Sequence, residues 1–231
     1  TSRTIREDVA AASATGAEAL RAEGRWSDRS RSSWGRSGEP MTMNLRSQLG
    51  EQPVDVIETL FACHDRMRRA ARQAERLATE PGVPEGEVRE GAASLVAYFR
   101  VALPQHQADE DLSIRPRLHE IDVPLETREA LAQMSEQHVR FERELEDVLP
   151  LWEALARDGS RLAAMPSWFG AVATRLREEL EEHLALEEET IYPAVRHYLS
   201  ADSEAVILRE MRGRRRQYES ELRLLQPDAR V

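Results

Sequence analysis

The sequence contains no lysine, a single cysteine, no long apolar run and no surplus of positive charge, and each shortage closes off a class of protein. All 32 basic residues are arginine against 42 acidic ones, for a formal net charge of -10. A general nucleic-acid binder is excluded, because affinity for a phosphate backbone comes from a positive surface that releases counterions. The exclusive use of arginine carries no functional reading. Cys63 has no second cysteine to pair with, so a reducing compartment, by default the cytoplasm, is expected. No stretch is apolar for long enough to span a bilayer, and no hydrophobic signal segment opens the chain, so a soluble, unexported protein with no membrane partner is expected. Gly-rich phosphate loops and Ser-His-Asp or Cys-His motifs are also missing.

What is present divides the 231 residues into three parts. Residues 1–52 are rich in Ser, Arg, Gly and Ala and have few large apolar side chains to bury, which predicts a largely disordered segment. Met41 and Met43 stand near its end, leaving a tail or an over-extended gene start as the two readings of it. From residue 53 to residue 200, apolar residues recur at alternating spacings of three and four, the mark of amphipathic helices with one inward stripe. The first stripe runs Ile57, Leu60, His64, Met67, Ala71, Ala74 and stops before the breaker Pro81-Gly82. The second runs Leu95, Phe99, Leu103, His106, Glu110, Ile114, with Pro104 predicting a kink. The third runs Leu131, Met134, His138, Phe141, Leu145, Leu149, Trp152 to about Asp158-Gly159; the fourth runs Val172, Leu176, Leu180, His183, Glu187, Ile191, Val195. Short connections and the absence of strand-like alternation predict an all-α, antiparallel up-down-up-down four-helix bundle. Residues 201–231 read as an extra C-terminal helix and tail. The Arg212-Gly213-Arg214-Arg215-Arg216 run there is expected on a solvated outer face, with an anionic partner as the alternative.

Each stripe places one histidine where the pattern asks for an apolar residue. On the second and fourth helices a glutamate follows four residues later, giving His106-Gln-Ala-Asp-Glu110 and His183-Leu-Ala-Leu-Glu187. Such pairs share a helix face, about 6 Å apart along the axis at 1.5 Å rise per residue. The halves repeat: Ile114 and Pro116 follow His106 at the same offsets at which Ile191 and Pro193 follow His183. Four inward imidazoles and two inward carboxylates are too large a polar set to bury unpaired, since buried charges in native proteins are paired or bind metal. Nitrogen and carboxylate donors suit iron, manganese or zinc. Six side chains exceed what one tetrahedral zinc needs, so two ions are implied, close enough for glutamates from opposite helices to bridge.

At these residues the sequence resembles the hemerythrin-like family, also called HHE cation-binding domains, whose order is H, HxxxE, H, HxxxE over four helices. The resemblance covers residues 53–200. It implies a non-haem, carboxylate-bridged di-iron site with His64, His106, His138 and His183 as terminal ligands and Glu110 and Glu187 as bridges. It differs from ferritin-like ExxH bundles, whose glutamates would stand at Leu103 and Leu180. It also departs from the oxygen-carrying hemerythrins, which have a second third-helix histidine where Glu142 stands; Glu142 is either a seventh ligand or a rim residue. The implied function is binding of, or reaction with, dioxygen, peroxide or nitric oxide, in oxygen or redox sensing, iron handling or detoxification. The alternatives are a catalase-like peroxide-decomposing enzyme, a zinc or manganese hydrolytic site and a metal-free structural bundle. No output domain is evident, so a sensor would need a separate protein partner, reached through the terminal segments.

His119 and His197 fall toward helix ends and are expected at the surface. Cys63, beside His64, reads as a small core hydrophobe. Phe99, Phe141, Trp152 and Trp168 are expected in the core, with Phe99 and Phe141 also placed to wall the metal pocket.

Overall fold

The structure, a computed structural model, describes residues 55–225, with side chains described to residue 218. The segment expected to be disordered lies outside the described residues. Among the described residues, four long helices and a fifth that packs along them make up the fold. Helix α1 spans Val56–Thr79 and starts where the Asp55 carboxylate accepts from the Ile57 amide at 2.8 Å, a side-chain cap for an otherwise orphaned donor. It ends before Pro81-Gly82, where Gly82 takes the left-handed φ of 76° that a side chain would resist. Helix α2 covers residues 85–119 without interruption and α3 spans Leu125–Arg157. Helix α4 covers residues 169–198, and α5 spans Ala201–Leu225. Among the described residues no helix is long and apolar enough to cross a membrane.

Helix α1 packs chiefly on α4 and α2 on α3, and the short α1–α2 and α3–α4 connections close the ring. The result is the antiparallel bundle that the four stripes predict. Its interior is two apolar clusters, one at each end. The first gathers Met67 and Leu77 of α1, Leu95 and Leu103 of α2, Phe141 and Trp152 of α3, and Phe169 and Leu180 of α4. The second gathers Ile57 and Leu60, Ile114, Leu131 and Met134, and Ile191, and takes Ile207 and Met211 from α5.

Two expectations on α4 need correction. Trp168 is 46% exposed, and its neighbour Phe169 is buried against Trp152 instead, ring centroids 4.7 Å apart. Val172 is only partly buried while Ala173 is enclosed. The inward stripe of the first turns runs through Phe169, Ala173, Leu176 and Leu180, so Trp168 and Val172, one turn apart, are both rotated off it. On α3, likewise, Val148 rather than Leu149 takes the fully buried place.

The expected kink at Pro104 takes the form of a π turn. Helix α2 contains two such turns, Tyr98–Ala102 and Glu110–Ile114, and α4 contains one, Glu187–Ile191. Each ends two residues before a proline: Pro104, Pro116 and Pro193. Proline has no amide hydrogen and its ring crowds the carbonyl four residues back. Widening the preceding turn, so that Leu103, Arg115 and Tyr192 donate to Tyr98, Glu110 and Glu187 five residues earlier, lets the helix run on through it.

The connection after α3 is tight. The Asp158 carboxylate accepts from the Ser160 amide at 3.1 Å, starting a 3-10 turn over Gly159–Ala164. A Cβ on Gly159 would lie 2.0 Å from the Glu85 carbonyl oxygen at the start of α2. Both partners are backbone and neither can swing away, so Gly159→Ala should destabilise the fold by about 1–3 kcal/mol. Thermal unfolding followed by circular dichroism reads this; an unchanged midpoint would mean that the loop does not seat on α2 as described.

Candidate metal centre

Between the two apolar clusters lies one polar layer. It is formed by His64 from the middle of α1, His106 and Glu110 from α2, His138 from α3, and His183 and Glu187 from α4. None of the six is more than 3% exposed. All six residues singled out by the stripe pattern therefore meet in one place, because each interrupts its stripe at the same height of the bundle.

Glu187 turns one carboxylate oxygen to each half of the layer. Oε2 stands 3.1 Å from His64 Nε2 and 3.9 Å from His106 Nε2. Oε1 stands 3.0 Å from His183 Nε2 and 3.9 Å from His138 Nε2. Glu110 reaches across too, its Oε2 lying 3.4 Å from both His106 Nε2 and His138 Nε2. Two donor sets result: His64, His106, Glu110 and Glu187, and Glu110, His138, His183 and Glu187, with the atoms of each set within 4.8 Å of one another. The glutamates belong to both.

The hydrogen bonding shows what the layer is suited to hold. His106 Nε2, His138 Nε2, His183 Nε2, Glu110 Oε2 and Glu187 Oε1 are buried and have no hydrogen-bond partner. Orphaned polar atoms of this kind cost free energy wherever nothing satisfies them. Here they all converge on the same interior space, and their chemistry, neutral imidazole and carboxylate, fits hard or borderline metal ions.

The outer nitrogens are held from behind. His64 Nδ1 lies 2.7 Å from Glu188 Oε1, and Arg68 fixes that carboxylate with two contacts of 2.8 and 3.1 Å. His138 Nδ1 lies 2.8 Å from Asp111 Oδ2, and Ser135 donates to the other Asp111 oxygen at 3.0 Å. His183 Nδ1 lies 2.9 Å from Gln137 Oε1. Acceptors at Nδ1 put the hydrogen there and leave Nε2 free to coordinate, the usual support of metal-binding histidines. His106 Nδ1 has no such partner. Gln137 directly precedes His138 on α3; the residue directly preceding His64 on α1 is Cys63, which has no oxygen to offer.

Sequence reasoning missed these supports, although a signal was present. An acid follows each repeat glutamate directly, Asp111 after Glu110 and Glu188 after Glu187, and each reaches the histidine of the neighbouring helix. Tyr192 was missed as well. Its hydroxyl lies 2.5 Å from His64 Nε2 and donates to Glu110 Oε1 at 2.9 Å.

Model matching settles the family. The hemerythrin HHE cation-binding domain model matches residues 55–195 and again residues 129–230. The chain belongs to the hemerythrin HHE cation-binding family. It is also similar to an uncharacterized protein of Haemophilus influenzae, 26% identical over 164 residues, which are 69% of this chain and 89% of that relative. No solved structure matches. The charges of the layer act strongly on one another. Burial by itself would lower the His138 pKa, but Asp111, Glu110 and Glu187 outweigh it and raise the value to about 10. Burial lowers His106 to about 3, with Glu110 opposing and the other three imidazoles adding to the drop. Glu187 falls to about 2, since His183 and His64 overcome a burial effect that would raise it.

Other expectations resolve simply. Glu142 is exposed and contributes nothing to the layer, which makes it a rim residue; His119 and His197 are exposed too. Phe141 walls the site, its ring edge-on to His183 at 5.2 Å, while Phe99 lies in the neighbouring apolar cluster. Cys63 is buried, but Arg66 donates to its sulfur at 2.9 Å, so it is not purely an apolar filler. The arginine run on α5 departs from expectation: Arg214 and Arg215 both pair with the fully buried Asp109, at 2.8 and 2.7 Å. An internal carboxylate next to Glu110 thus takes two of the guanidinium groups assigned to solvent.

Removing one of the supports gives a test. Gln137→Leu takes the acceptor from His183 Nδ1 at similar volume, and metal affinity should drop 10–100-fold, roughly, with helix content preserved. Competition against a chromogenic chelator measures it; unchanged affinity would show that Gln137 does not orient the ring.

Proposed function

We propose that this protein holds a carboxylate-bridged pair of non-haem iron ions and uses it to bind or react with dioxygen, peroxide or nitric oxide, in oxygen or redox sensing, iron handling or detoxification. The observation that carries the reading is the pair of four-donor sets that share Glu110 and Glu187, each set having two imidazole nitrogens of its own. One ion in one half would leave the imidazoles of the other half orphaned. Two ions satisfy every convergent atom, and carboxylates shared between two metals are a recurring way of holding such pairs. The donor set has no thiolate, which favours iron over softer metals, and the family resemblance points the same way.

An iron pair at this position would supply the electrons, or the open coordination position, that a diatomic ligand or peroxide requires. The chain supplies the rest. Phe141 and the apolar clusters on either side exclude bulk water, and the near-complete burial of the layer limits access to small molecules. Asp111, Glu188 and Gln137 keep the ring hydrogens on the outer nitrogens.

Elemental analysis of the purified full-length protein and of a Glu110→Ala, Glu187→Ala double variant tests the reading. About two irons per chain are expected in the wild type and far fewer in the variant, together with an optical change when the reduced wild type meets oxygen, peroxide or nitric oxide. A folded wild type without metal, with a melting temperature indifferent to chelator, would leave a structural bundle whose polar layer pairs only with itself.

A further inference from the structure

Tyr192 is fully enclosed, and its hydroxyl stands inside the donor layer rather than beside it. Its oxygen lies 2.5 Å from His64 Nε2, 2.9 Å from Glu110 Oε1 and 3.5 Å from Glu187 Oε2. These are three of the side chains that make up the first donor set. Donor atoms adjacent to one another on a six-coordinate ion with bonds near 2.1 Å stand about 3.0 Å apart. The three distances bracket that value. A phenol also has one hydrogen to give, so it cannot donate to both His64 Nε2 and Glu110 Oε1, and His64 Nδ1 already faces the Glu188 carboxylate. A cation among these atoms would be held by all of them at once, whereas the phenol hydrogen serves one acceptor at a time.

We propose that Tyr192 is a seventh ligand, its phenolate oxygen binding the iron held by His64 and His106. The proposal rests on the di-iron reading above and adds a donor that the H, HxxxE, H, HxxxE pattern does not contain. Ferric iron is a hard acceptor that tyrosinate suits, as in tyrosinate-ligated haem. On metal uptake the O–H bond breaks heterolytically, the oxygen keeps the electron pair for the metal, and the proton goes to buffer, as protons do whenever ligands must be deprotonated.

The local backbone explains why the side chain arrives there. The π turn Glu187–Ile191 places Tyr192 five residues beyond Glu187, and its amide donates to the Glu187 carbonyl, so both side chains fall on the inward face. The matching position after Glu110 is Arg115, partly exposed and paired with Asp111 at 3.3 Å. The two half-sites are therefore unequal. The His64–His106 half has five donors, and the His138–His183 half has four, which leaves the second half as the side with room for an exogenous ligand. Phe61 packs edge-on against the Tyr192 ring at 5.6 Å and holds it in place.

The test uses full-length wild type, Tyr192→Phe, and Tyr198→Phe as a control on a surface tyrosine, each loaded with ferrous iron and oxidised with ferricyanide. Iron content, visible absorption and resonance Raman spectra are recorded. The expected result is about two irons per chain in all three, with a tyrosinate-to-iron charge-transfer band and its tyrosine ring modes in wild type and Tyr198→Phe and their loss in Tyr192→Phe. Iron-loaded wild type without tyrosinate modes, or a band that survives in Tyr192→Phe, overturns the assignment of Tyr192 and leaves the di-iron reading standing. No iron in folded wild type overturns both. Because the wild-type spectrum decides by itself, a poorly folded variant does not remove the test.

Discussion

Everything in this bundle is arranged around one costly act, the burial of two carboxylates and four imidazoles in a layer almost closed to bulk solvent. An isolated charge in such surroundings costs many kcal/mol, and the usual escape is protonation or pairing. The layer does neither completely. Three imidazole nitrogens and an oxygen from each glutamate have no hydrogen-bond partner and face one another across the interior. In a purely structural bundle, apolar side chains at these six positions would be at least as stable. The polar layer is therefore explained by what it can hold, and the two apolar clusters are its insulation: they fix the four helices at a height where the six side chains converge.

The second level of the design lies behind the ligand set. Asp111 and Glu188 each follow a repeat glutamate and reach sideways to the histidine of the adjacent helix, so each HxxxE helix supplies both donors and an orienting acid. The π turns belong to the same device. Two of the three begin at Glu110 and Glu187 themselves, and each is followed by a proline that makes the ordinary helical bond impossible. The repeated proline thus acts on the site through the backbone, by setting the register of the side chains that follow the glutamate.

Much of this was legible in the sequence. The four helices, their order and the inward position of His64, His106, Glu110, His138, His183 and Glu187 follow from spacing, because a histidine that replaces an apolar residue in a long stripe has one direction to point. Stripes are less reliable where a helix starts: Trp168 and Val172 share a spacing with Phe169 and Ala173, and only packing against Trp152 decides between them. Pairings between distant segments were not legible. Nothing local says that Arg214 and Arg215 on α5 will close on Asp109, since a run of guanidinium groups looks the same whether it meets water or a buried acid.

Tyr192 shows the limit most clearly. Counted at the ordinary spacing of three or four, it follows Ile191 and falls off the stripe defined by Glu187, Ile191 and Val195. Only the five-residue bond of the π turn rotates it inward, and that turn is a response to Pro193 one residue later. The proline was visible in the sequence as half of a repeat, yet its effect on the neighbouring side chain depends on where the helix chooses to widen. A one-residue change of helical phase is enough to turn an apparent flank into a part of the donor layer, and it does so on one side of the pseudo-repeat alone, because the partner position is an arginine that finds Asp111 instead. Inequality between the two halves of the site thus arises from side-chain identity at a single pair of equivalent positions, on a backbone that treats them alike.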